Sequence, residues 1–301
     1  MYYFWQGSII NSLGRKGSIA EKFKKYCHLK SNLSLTNLAK KEGPLLYRYR
    51  YAICTLVTNW QEYERMINSY RDAGFTEADC EYRYVDNIEG NNFDAYEGIN
   101  LFLNNADAEY VIISHQDILL SFDKRNILDE RIEELNKSDS NWAVLGNAGT
   151  NNLYLTSMKV TQQDRICYKS GVLPSKVQSL DENFLIVKKS ANIALSRDLS
   201  GFHLYGTDIC FVAECLGYNA YAVDFNLLHL SHGKPGASFY SLARTFQNKY
   251  TNFFRSRYIK TTITSFYIGS NPFVNWLMNT LPVKYACRLY YKYKFKFFRK
   301  Y

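Results

Sequence analysis

Short apolar runs that stop abruptly at polar side chains recur along the first half of the chain. The clearest is Tyr110-Val111-Ile112-Ile113-Ser114, within Glu109–Leu120, followed at once by His115, Gln116 and Asp117. It is too short for a globular helix and rich in β-branched residues, which predicts a buried strand of a mostly parallel sheet. Ala52–Val57 reads the same way. It ends at Thr58-Asn59, which opens an amphipathic helix over about 61–73, closed by Gly74. Cys80–Val85 predicts a strand ending in Asp86-Asn87, and 94–105 a helix with an apolar inner face. The order β-α-β-loop-α-β predicts an α/β fold, with a doubly wound, mostly parallel sheet and helices on both faces.

The second half changes rhythm. Residues 123–136 predict a charged helix and Trp142–Ala148 a strand running into small residues. Residues 149–178 read as a hairpin or loops. Asp181-Glu182 stand beside a strand in SLDENFLIV (179–187). Gly206-Thr207-Asp208 open a helix that Gly217 ends, and its first turn favours a carboxylate. A strand over 218–225 and the run LLHLSHG (227–233) follow. Residues 1–50 carry only weak helical signals (19–26 and 33–41) and read as an N-terminal helical extension.

Three strands ending in polar residues would gather Thr58, Asn59, Asp86, His115, Gln116 and Asp117 on one sheet edge, where α/β folds bind ligands. A carboxylate and an imidazole there suit a divalent cation, and through it a diphosphate. No G-x-G-x-x-G follows the first strand and no G-x-x-x-x-G-K-[ST] occurs, which argues against a dinucleotide enzyme or a P-loop NTPase.

Charge sharpens this picture. The chain of 301 residues carries a net +9, laid out unevenly. Residues 1–50 hold 10 basic against 2 acidic, residues 51–224 hold 14 against 26, and residues 225–301 hold 13 basic and no acid. An acidic middle argues against a broad nucleic-acid groove there, since phosphate contacts need a basic face. The stretch VKYACRLYYKYKFKFFRKY (283–301) interleaves seven basic residues with aromatics. That composition suits an anionic membrane surface. No run reaches transmembrane length, and the first ten residues lack a secretory pattern. Seven scattered cysteines read as reduced, cytoplasmic thiols.

The HQD-ended strand, WAVLGNAGT, DE-x-FLIV, FHLYGTDIC and HLSHG, in this order, resemble the family-2-like bacterial glycosyltransferases of the Rossmann-like GT-A fold. They look most like the subgroup with H-Q-D in place of D-x-D. The resemblance covers about 51–233, leaving 1–50 as the extension and 234–301 as a basic, aromatic, membrane-associating segment. It implies that Asp117, with His232 or else His229, holds Mn²⁺ or Mg²⁺. Thr58, Asn59, Asp86, His115 and Gln116 would then bind the nucleotide-sugar donor, with His115 on metal or ribose. Asp208 would be the catalytic base of an inverting transfer, with Asp181 or Glu182 next in line. Asp181, Glu182 and Trp142 would face the acceptor, although Trp142 also reads as core. The implied acceptor is a lipid-linked or oligosaccharide glycan, in surface polysaccharide or O-antigen assembly. The implied location is the inner face of the plasma membrane, with no nucleic-acid partner. A nucleotidyltransferase and a non-catalytic assembly partner of the same fold are the alternatives.

Overall fold

The structure, a computed structural model, describes residues 47–153, 155–231 and 236–298. The expected N-terminal extension and His232 therefore lie outside the described residues. Residues 47–301 group as one compact unit. The chain begins β1 (Tyr49–Val57), α1 (Trp60–Asp72), β2 (Cys80–Asp86), α2 (Ala95–Asn105) and β3 (Ala108–Ser114). It continues β4 (Ile118–Leu119), α3 (Arg125–Ser138), β5 (Trp142–Gly146), β6 (Ala148–Thr150), β7 (Thr156–Gln162), β8 (Cys167–Ser170) and β9 (Ser175–Val177). Then follow β10 (Ser179–Leu180), β11 (Phe184–Lys188), α4 (Tyr205–Cys215), β12 (Asn219–Ala222) and β13 (Leu228–His229).

The main sheet has the order β2-β1-β3-β11-β5-β12-β9. Strands β2, β1, β3, β5 and β12 run one way; β11 and β9 run against them. The expected mostly parallel α/β sheet is therefore what the chain forms. Alternation along each strand divides the core between two faces. Ala52, Cys54, Val111, Ile113, Leu185 and Val187 pack with α2 and α4. Tyr51, Ile53, Tyr110, Ile112, Phe184 and Ile186 pack with α1 and α3. Both faces are apolar because both are covered by helices, which explains why these strands read as unbroken apolar runs.

The region 149–178 becomes part of a second sheet, of order β10-β6-β7-β13-β4 with β8 on β7. Its pairing of β13 with β4 sets His229 opposite Ile118, one residue past Asp117. The expected strand over 218–225 is shorter, at Asn219–Ala222.

Trp142 is not at a surface. It is 0% exposed, stacks on Tyr110 with centroids 5.9 Å apart, and donates Nε1–H to Asn136 Oδ1 at 2.9 Å. A ring closed in on all sides cannot offer a face to a sugar, so the acceptor role expected for Trp142 is corrected to a core role.

After the sheet, α5 (Ala237–Phe253) lies on the core through Leu242 and Tyr250. A hairpin of β14 (Arg257–Lys260) and β15 (Ser265–Ile268), then α6 (Pro272–Met278) and α7 (Leu281–Phe298), complete the chain. Among the described residues, no helix is long and apolar enough to cross a membrane.

Trp142→Ala should cost about 3–5 kcal/mol, as expected for a fully buried aromatic. It should appear as a lowered urea midpoint at unchanged slope. A loss within about 0.5 kcal/mol, as at a surface position, would contradict the packing described.

Candidate functional site

Parallel pairing carries three polar strand ends to one edge. Val57 is in register with Asp86, Asn87 N–H donates to Val57 O at 2.8 Å, and β3 lies on the other side of β1. A cavity of about 270 Å³ opens there, lined by Thr58, Glu62, His115, Gln116, Asp117 and Tyr205.

Gln116 holds the edge together. Its Oε1 accepts from the backbone N–H of Thr58 at 2.8 Å and of Asn59 at 3.1 Å. Its Nε2 donates to Thr58 Oγ1 at 2.8 Å and Glu62 Oε2 at 2.9 Å. The two N–H groups and both acceptor positions of the amide are thereby used. Gln116 shapes the Thr58-Asn59 loop and is fully engaged within the protein, which corrects the expected direct contact of its amide with a donor. Asn59 Oδ1 caps α1, accepting from Gln61 and Glu62 N–H. Asp86 is exposed beside the cavity rather than in its lining, with Oδ1 accepting from Ile88 N–H at 3.0 Å.

His115, Asp117 and His229 converge. One ligand atom from each lies within 4.8 Å of the others. His115 Nδ1 is 3.9 Å from Asp117 Oδ1, and His229 Nε2 is 3.5 Å from Asp117 Oδ2. The residue after β3 and the last residue of β13 meet here because β13 pairs with β4. His229, the second candidate for the late histidine, thus stands beside Asp117, while His232, the first, lies outside the described residues.

The Tyr205 hydroxyl donates to Glu182 O at 3.1 Å and lies 2.7 Å from His115 Nε2. This contact anchors the ring on its Nε2 side and turns Nδ1 toward Asp117. A ring nitrogen held this way by an outer partner is the usual setting of a metal-ligating histidine. Burial, ahead of the His229 and His203 charges, holds the His115 imidazole below its usual range, while Asp117 and Asp181 pull the other way. Partial burial alone would raise the Asp117 carboxyl. Hydrogen bonds from His229 and Ser231 and the nearby imidazoles bring it down to about 2 instead. With their facing nitrogens free of protons, two imidazoles and a carboxylate would make a donor set that fits Mn²⁺ or Mg²⁺ with open positions left for phosphate oxygens.

Two acids stand across from this cluster. Asp181 is exposed, and Glu182 is half-buried near the start of α4. Burial and the Asp181 charge raise the Glu182 carboxyl to about 8, against the pull of the backbone N–H groups of Gly206, Tyr205 and Leu204. Gly206 permits this approach. A Cβ there would collide with the Leu180 carbonyl and stand 3.2 Å from Glu182 Cγ.

Asp208 is elsewhere. It is in the first turn of α4, as expected, but is 0% exposed. Its carboxylate accepts from Ser196 N–H at 2.7 Å, Ser196 Oγ at 2.8 Å and Tyr250 Oη at 2.6 Å. A carboxylate sealed in by three donors cannot reach an acceptor hydroxyl. The catalytic role expected for Asp208 is corrected to that of a clasp between α4, the 196 loop and α5. Tyr205 and Glu62 escaped the sequence reading. An aromatic just before a Gly-Thr-Asp helix start was the one local sign of Tyr205, and Glu62 looked like any acid in a first helical turn.

No family model matches the chain. The "ATP synthase subunits region ORF 6" protein of Fuscovulum blasticum is 33% identical over 224 residues, 72% of this chain and 88% of that protein. The chain belongs to that protein's family. Among solved structures, the chain is similar to the mannosyltransferase PcManGT from Pyrobaculum calidifontis in complex with GDP-Man and Mn²⁺. The identity is 13%, covering 74% of this chain and 67% of that one, with a TM-score of 0.41. It is also similar to S. aureus TarS in complex with UDP-GlcNAc, at 12% identity, 67% of each chain and a TM-score of 0.46.

If the three-residue cluster holds a cation, Asp117→Ala in this ORF 6 family member should abolish Mn²⁺ binding by calorimetry with the fold intact by circular dichroism. Wild-type affinity should fall at acid pH as protons compete for the His115 imidazole, which burial holds below its usual range. Mn²⁺ affinity unchanged by Asp117→Ala would remove this assignment.

Proposed function

We propose that the protein is a metal-dependent, inverting glycosyltransferase of the GT-A type, using a nucleoside-diphosphate sugar as donor. The observation that carries this reading is the His115–Asp117–His229 cluster at the carboxyl end of β3, opening into the cavity beside the Thr58-Asn59 loop. The ordered motifs shared with family-2-like glycosyltransferases support it. A divalent cation held by His115, Asp117 and His229 would neutralise the charge that develops on the leaving diphosphate.

The chain's own residues supply the rest. The loop fixed by Gln116 offers Thr58 and Asn59 to the nucleotide, with Asp86 beside them. Glu182 takes the proton of the acceptor hydroxyl as its oxygen attacks the anomeric carbon. The bond from that carbon to the diphosphate breaks, and the electron pair leaves with the diphosphate. Asp181 raises Glu182 by its charge, which makes Glu182 the stronger base once ionised. In the free protein Glu182 holds a proton below about 8, so turnover should rise with pH through that region, or lower once a cation is bound nearby.

A screen of nucleotide-sugars by thermal shift and slow donor hydrolysis, with and without Mn²⁺, tests the assignment. Stabilisation by a nucleoside-diphosphate sugar only with Mn²⁺ is expected. Pyrophosphate release from a nucleoside triphosphate would point to a nucleotidyltransferase instead. With the donor known, Glu182→Gln should lower transfer by about 10²–10⁴ and flatten the rising limb of the pH profile. Asp208→Asn should leave transfer within a few-fold while lowering Tm. The reverse pattern would return the base to Asp208.

We place the acceptor at an anionic membrane face, as in surface polysaccharide or O-antigen assembly. None of α6 is buried: Phe273 is 67% and Trp276 64% exposed, and Leu281 beyond it is 82% exposed. Residues 225–301 contain no acid to repel anionic lipid. Basic residues near such a surface contribute about 1 kcal/mol each, lost in salt, whereas inserted aromatics give a part that salt does not remove. Phe273→Ser with Trp276→Ser should therefore abolish the salt-resistant fraction bound to phosphatidylglycerol vesicles. Donor hydrolysis should be unchanged. Equal binding by the double variant in high salt would locate the contact elsewhere.

A further inference from the structure

A second cavity, of about 340 Å³, lies between residues 198–203 and the start of α5. Its lining includes Asp198, Ser200, Phe202, His203, Ser238 and Ser241. Phe202 also lines the first cavity, so the two share a wall. His203 is near enough for its charge to be felt at His115, after burial and the charges of Asp117, His229 and Asp181. Its ring is pinned edge-on against Phe239, with centroids 5.5 Å apart, and its carbonyl accepts from Tyr96 Oη at 3.0 Å.

The chemistry of the lining is that of a polyol site. Among the described residues, the hydroxyls of Ser200, Ser238 and Ser241 make no hydrogen bond with the protein, while each can donate and accept. Asp198 is ion-paired with Lys249, so its carboxylate adds acceptors without an uncompensated charge. Phe202 is 39% exposed and supplies an apolar surface. Paired acceptors and donors with one aromatic wall match a sugar ring, whose edge is hydroxylated and whose face is C–H. The volume is within the about 300–1,000 Å³ typical of ligand pockets.

We propose that this second cavity binds an uncharged sugar residue of the acceptor and delivers its hydroxyl past Phe202 toward Glu182 and the first cavity. The inference rests on the glycosyltransferase reading and adds to it the place and chemical class of the acceptor subsite. It moves the main acceptor surface away from Asp181 and Glu182, neither of which lines either cavity.

Saturation-transfer NMR on the full-length protein, with UDP or GDP, Mn²⁺ and the methyl glycosides of glucose, galactose, mannose and N-acetylglucosamine, tests it. At least one glycoside should show saturation in the wild type and lose it at least tenfold in Ser241→Trp, which fills the cavity from the exposed face of α5. The nucleotide signal should persist, since Ser241 does not line the first cavity. If Ser241→Trp lowers Tm strongly, Ser238→Trp, at the exposed start of the same helix, replaces it. No glycoside signal, or one insensitive to the folded variant, overturns the inference. Loss of the Mn²⁺-dependent nucleotide signal in the wild type would instead overturn the glycosyltransferase reading, so the two failures are distinguishable.

Discussion

Parallel pairing of β1 with a strand on each side is the constraint from which the site follows. Parallel neighbours end together, so the polar residues after β1, β2 and β3 reach one edge without any further instruction. Helices on both faces then bury the central strands β3, β5 and β11 almost completely, leaving the edge as a place where polar groups meet solvent. The long β-branched runs and the polar residues that end them are two consequences of one architecture.

Against this background the second sheet does a distinct job. By laying β13 against β4 it brings the 229 position within reach of Asp117, across more than a hundred residues of chain. The imidazoles and carboxylate are then oriented by an outer ring of Tyr205, Ser231 and the Glu182 carbonyl. The fold brings the three side chains together, and the outer ring holds them in place.

The sheet was legible in the sequence because its signal is local: apolar runs of strand length, each closed by polar residues. His115, Gln116 and Asp117 were legible for the same reason, being the residues at which a run stops. What local pattern could not convey is pairing at long range. H-x-x-H in LLHLSH presents two histidines, and that the first of them stands beside Asp117 follows from a two-residue ladder with β4 that no local pattern announces. Asp208 was given the role of base by the resemblance, but Tyr250, 42 residues away, and Ser196 turn it inward. Trp142 was ambiguous because an aromatic in a strand reads alike whether it faces a helix or a sugar, and here α3 supplies Asn136 beneath it.

The amide of Gln116 has one more consequence. Because it ties the Thr58-Asn59 backbone to α1 through Glu62, this segment is ordered before any nucleotide arrives. Binding there would forgo the entropic penalty of loop ordering. Its heat-capacity change should then be that of the surface covered alone, without the excess that marks folding coupled to binding. An arriving nucleotide would thus meet a surface already shaped, and the Thr58-Asn59 backbone should move little between the empty and the occupied state.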